Sequence, residues 1–85
     1  MKKIYVIINT YIDAYGSAIA TDGGAYTNEK TAIQKLREYV YGIWGDILDE
    51  DIIEECFESN RVWIYRNDDG DESVIEICDY NLSNE

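Results

Sequence analysis

From Lys3 to Ile12 the chain sets Ile4, Val6 and Ile8 in alternation with Tyr5, Ile7, Asn9 and Tyr11, the period of two that marks a β-strand with two different faces. "DAYG" at 13–16 supplies turn chemistry, and "SAIAT" at 17–21 is short enough to return beside the first strand as a hairpin partner at a sheet edge. Asp22, Gly23 and Gly24 then read as a release into a loop.

The period changes after Thr27 or Asn28, either of which can cap a helix with its side-chain oxygen, and Glu29 suits the positive end of the dipole. Ile33, Leu36, Val40, Ile43 and Ile47 recur every three or four residues, with Ala32, Tyr39 and Trp44 widening the stripe. This predicts a helix ending near Trp44, with Gly45 as a left-handed stop. Asp49 is the expected cap of a second helix, since Leu48 and Ile53 then occupy the positions of a hydrophobic staple. Its buried face would be Ile52, Ile53, Cys56 and Phe57, and Glu50, Asp51, Glu54, Glu55 and Glu58 would point outward together before Ser59 and Asn60 close it.

"RVWIYR" at 61–66 and "SVIEICDY" at 73–80 are strands by β-branched and aromatic content, joined by the acidic turn "NDDGDE". "NLSNE" at the end is expected to fray. The order ββααββ makes the fold class α+β: an antiparallel four-stranded sheet with two helices packed on one face, in one domain over residues 1–85.

Charge changes this picture more than composition does. A 46% hydrophobic, 13% aromatic chain is too apolar for a disordered acidic tail despite a net charge of −11, so folding is expected. The charge is lopsided. Residues 1–45 carry four acids against five bases, whereas residues 46–85 carry fourteen acids against Arg61 and Arg66 alone. Direct nucleic-acid binding through the second half is disfavoured, because phosphates would be repelled, and a cationic partner is the natural complement.

Candidate chemistry narrows quickly. There is no His, which removes the common general base, the Ser-His and Cys-His pairs and the usual zinc sets, so no catalysis and no cofactor are expected. Two cysteines, Cys56 and Cys78, make no disulfide scaffold and read as small core residues. "YRNDDGDESVIE" aligns in part with a calcium loop through Asn67, Asp69, Gly70 and Glu76, but Tyr65 stands at the first ligand position and the flanks read as strands, so no metal is expected. "MKKIYVII" is too short an apolar run for a secretory signal and nothing approaches a membrane span, so the cytoplasm is the expected location.

The acids are the remaining signal. On one helix, Glu50, Glu54 and Glu58 would stand about 6 Å apart in a row with Asp51 and Glu55 beside them, roughly one charge per 2 to 3 Å, the same order as duplex DNA. Like-charged neighbours at that spacing repel, so folding does not call for them. The expected partner-binding residues are therefore Asp46, Asp49, Glu50, Asp51, Glu54, Glu55 and Glu58, with Asp68, Asp69, Asp71 and Glu72 of the turn. Tyr11, Tyr15, Tyr26 and Tyr41, left unplaced by the core pattern, are candidate anchors.

In size, acidity and Tyr content the chain resembles small phage-encoded inhibitor proteins of the anti-CRISPR, nucleic-acid-mimicking type. That resemblance implies a non-catalytic inhibitor or decoy acting in the host cytoplasm on a basic, nucleic-acid-binding surface of a defence protein. The other reading is a small assembly module, monomer or homodimer, that associates through its sheet edge or Tyr-rich surface.

Overall fold

The structure, a computed structural model, describes residues 2–82. Seven elements follow in order: strands β1 (Lys2–Ile12) and β2 (Ala18–Tyr26), helices α1 (Glu29–Trp44) and α2 (Glu50–Glu55), and strands β3 (Phe57–Ser59), β4 (Val62–Arg66) and β5 (Glu72–Leu82). The class is α+β as expected, but the antiparallel sheet has five strands, ordered β2-β1-β5-β4-β3. The additional strand forms because α2 stops at Glu55 and the chain turns straight back against β4, so Phe57 faces Trp63 across the ladder. Glu58 therefore belongs to β3 and not to the acidic helix.

β1 and β5 pair along their full lengths and form the spine of the sheet. β5 continues through Asn81 and Leu82, which were expected to fray, because each still has a partner in Lys3 and Lys2; residues 83–85 of that stretch lie outside the described residues. β2 is an edge strand, as read from the sequence, with β3 at the opposite edge, but β2 runs on through Gly23 and Gly24 to Tyr26. Val6 pairs with Ala25 and Ile8 with Asp22, so two glycines oppose Ile7 in a bulge. Gly24 has φ +118°, and a Cβ on Gly23 would lie 2.8 Å from Ile7 Cγ2 and 3.0 Å from Tyr39 Cε1. The glycines let a helix approach the sheet; they do not end the strand.

Asn28 caps α1 by accepting the Thr31 N–H at 3.1 Å. Ala32, Leu36 and Val40 meet Ile7, Ile75, Ile77 and Trp63 of the sheet, with Ile53 of α2 closing the layer. Trp63 is fully buried and its Nε1–H donates to the Ile53 carbonyl at 2.9 Å, which ties α2 to β4. Trp44 and Tyr65 complete an aromatic group, with ring centroids 5.2 to 6.1 Å apart.

Several local expectations fail: Ile43, placed on the buried stripe, is exposed at the last turn of α1, and three further side chains and one backbone turn also depart. Gly45 has φ −60°, so the turn after α1 continues right-handed, with Ile47 and Leu48 donating to the Trp44 carbonyl. That takes Ile47 off the stripe, and it is 67% exposed. Ile52 is also exposed, because a helix of six residues buries only Ile53. Cys78 is half-buried beside Val6 in the ladder, one residue out of phase with the core positions Ile75 and Ile77, so it faces away from the core.

Candidate functional site

The eleven carboxylates singled out in the sequence divide by whether the fold uses them. Glu54 is used: its Oε2 accepts from both the Arg37 guanidinium and the Tyr41 hydroxyl. Asp71 is used as well. Its Oδ1 accepts the Ala14 N–H at 3.0 Å, which ties the β1–β2 turn to the β4–β5 turn, and hydrogen bonds from Tyr11 and Asn67 hold its carboxyl below the ordinary range. Glu72 pairs with Arg66 at 2.7 Å.

The other eight, Asp46, Asp49, Glu50, Asp51, Glu55, Glu58, Asp68 and Asp69, are exposed, and their side chains accept no hydrogen bond and meet no cation among the described residues. Asp49 is the clearest of them. It stands at the N-cap of α2, where a carboxylate ordinarily accepts a backbone N–H, yet it makes no such bond. By contrast Asp13, outside the expected set, accepts the Tyr15 and Ser17 N–H groups at 2.9 Å each and holds the β1–β2 turn closed.

The expected helix ladder is thus broken, with Glu54 paired and Glu58 on β3, and the acids left unpaired among the described residues fall in two districts, at the helix and at the turn. The first is the segment from Asp46 through α2, with Glu58 just beyond. The second is the tip where the two turns meet, around Asp68 and Asp69, where the Asp13, Asp69 and Asp71 charges all act on the Tyr11 hydroxyl. Hydrogen bonding to Asp71 is the largest influence on that hydroxyl and, with desolvation, raises it above its ordinary value.

Each district includes apolar groups that sequence reading placed elsewhere or left unplaced. Ile47 (67% exposed) and Ile52 (39%) lie among the acids of the first, and Tyr15 (96%) stands at the second with Ile19 on β2 (69%). Exposed apolar side chains thus stand beside these unpaired carboxylates in both districts. The signal for Ile47 was its distance past the end of α1; Ile52 offered none, because its exposure follows from α2 ending at Glu55. Tyr26 and Tyr41 pack against the core instead.

Other chemistry has little to work with. Desolvation pushes both thiols up, aided by Glu55 and Glu58 at Cys56 and by Glu76 at Cys78, the reverse of what an active thiolate needs. Asn67 Oδ1 accepts the Asp69 and Asp71 N–H groups, so the "NDDGDE" segment is a self-closed hairpin turn between strands. Among the described residues no three Cys, Asp or Glu side chains converge as a metal site, and no helix is long and apolar enough to cross a membrane. A depression of about 530 Å³ lined by Lys2, Lys3, Tyr5 and Thr27 contains no carboxylate or thiol. Compared with protein-family models, with curated proteins and with solved structures, the chain matches none.

Proposed function

We propose that this chain is a non-catalytic binding protein, an inhibitor or decoy that occupies a basic surface of a partner protein in the cytoplasm, such as a groove built to hold nucleic acid. Asp46, Asp49, Glu50, Asp51 and Glu55 supply the charge, Ile47 and Ile52 the apolar grip. The acidic tip with Asp68, Asp69 and Tyr15 is a second point of contact. The observation that carries this reading is the idle N-cap carboxylate of Asp49, a side chain at a strong position for an internal bond that makes none, beside the exposed Glu50, Asp51 and Glu55, unpaired among the described residues. Acids kept without internal partners in a small domain favour an external one.

The experiment is capture of the partner from the native host on immobilised protein at about 50 and 500 mM salt, spanning the range in which such charges become screened. The comparison variant is Glu50→Gln/Asp51→Asn/Glu55→Gln, which spares Glu54 and its bonds. Loss of the partner at high salt, in the variant, and on addition of competing duplex DNA is expected. Retention of the partner unchanged under all three conditions overturns the reading.

A further inference from the structure

The sheet has a second face, and its composition does not suit water. The ladder registers place Ile7, Ile75, Ile77 and Trp63 under the helices. The alternate positions, among them Val6, Ile8, Ile64, Val74, Cys78 and Tyr80, therefore face the other way, and none of them is part of the core cluster or packs against it. An antiparallel sheet with a wet face normally alternates apolar with polar residues. Here β1 is apolar on both sides, the pattern of a strand covered twice, while among the described residues the helices cover one side only.

We infer that this face is the interface of a homodimer in which two copies pack sheet against sheet with their helices outward.

Charge selects the occupant. By the same registers the ionisable groups on this face are Lys2, Asp22, Arg66, Glu72 and Glu76, with Arg66 and Glu72 already paired, so the face carries about −1 of the chain's −11. A cationic partner finds almost no field there. A second copy, repelled from every strongly acidic district, meets the least repulsion on this side. Area is sufficient: at a footprint of about 3.4 by 4.8 Å per residue, the four longer strands offer roughly 600 Å² per copy. The pair then buries about 1,200 Å², where specific interfaces begin. Sheets packed face to face at about 10 Å with a small crossing angle leave both acidic segments free. The dimer and the proposed partner therefore occupy different surfaces.

Sedimentation equilibrium between about 5 and 200 µM protein, at about 50 and 500 mM NaCl, is the test. A dimer is expected, tightening several-fold at the higher salt as the like charges are screened; partner capture moves in the opposite direction, so either idea can fail alone. Ile8→Lys is expected to yield monomer, because Asp22 and Glu76 flank Ile8 in the ladder and can pair with a lysine in the free chain but not in a dry interface. Circular dichroism checks that the variant is folded. Independently of any substitution at Ile8, Cys78 in Cys56→Ser protein is expected to lose reactivity toward a thiol reagent as protein concentration rises, while Cys56 in Cys78→Ser protein does not. Monomer at the top concentration and salt, a dimer dissolved by salt, undiminished dimerisation of folded Ile8→Lys, or Cys78 reactivity independent of concentration each overturns the inference.

Discussion

Glu54 separates the acids that hold the fold from those that do not. The bond from Tyr41, then the bond and the charge of Arg37, lower its carboxyl below the ordinary 4.5 against the pull of desolvation. The same Glu54 bond, with desolvation and the nearby Glu54 and Glu50 charges, pushes the Tyr41 hydroxyl up to about 12. Linkage fixes the signs. A raised phenol contributes stability that is complete below its ordinary value of 10.0 and is lost as pH climbs through about 12. A lowered carboxyl contributes stability that is complete above 4.5 and is lost as pH falls through its depressed value. Tyr41→Phe is therefore expected to remove one late-ionising phenol from the ultraviolet titration, and its stability deficit relative to wild type should shrink between pH 10 and 12. Glu54→Gln should flatten the fall of the thermal midpoint below pH 4.5. Identical titrations and parallel midpoint curves would remove Glu54 from the framework. A charge reversal at Glu54 is consequently a poor probe of partner binding, because it breaks α1 from α2 as well as altering the surface.

At the scale of elements, two glycines that look alike in sequence do opposite things. Gly42 stands inside α1 with open space where a Cβ would go, so Gly42→Ala should stabilise the protein by about 1 kcal/mol through helix propensity. Gly23 stands under Tyr39 and against Ile7, so Gly23→Ala forces buried groups apart and should destabilise by roughly 1 to 3 kcal/mol. Urea midpoints of the two variants, moving in opposite directions, check both; a neutral Gly23→Ala would mean that the bulge and Tyr39 yield freely. This pair also marks how far the sequence could be read. The alternation in β1, the first three turns of the α1 stripe and a cap at one of the two expected residues, Asn28, are local signals and emerge, whereas Ile43 and Ile47 at the far end of the stripe are exposed. Gly-Gly in β2 could not be told from a loop, because its reason is a tertiary contact with α1. Nor could the end of α2: Cys56 and Phe57 continue its apolar spacing, but Phe57 is taken by the ladder with Trp63. The acidic segment was legible as composition. Which of its members are idle was not, since that depends on Arg37 and Tyr41 reaching Glu54 from seventeen and thirteen residues away.

For the whole molecule, the decisive quantity is the imbalance left after internal pairing. Among the described residues only Glu29, Glu38, Glu54, Glu72 and Asp79 stand within salt-bridge distance of a Lys or Arg, so most of the −11 acts as mutual repulsion across a body only 18 Å thick along its shortest axis. The screening length falls from roughly 20 Å at 20 mM salt to about 4 Å at 500 mM, from larger than that thickness to shorter than the roughly 6 Å rise between acids one turn apart on α2. The folded state holds the charges closer together than the unfolded chain does, so screening favours it. The thermal midpoint of dilute protein is expected to rise by several degrees over that range, and equally in sodium and tetramethylammonium chloride, because the effect is screening and not occupation of a cation site. A rise in sodium alone would point to a bound ion. A flat midpoint would show that the idle carboxylates impose no strain on the fold, and the case that they are retained for a partner, and not merely tolerated, would lose its physical basis.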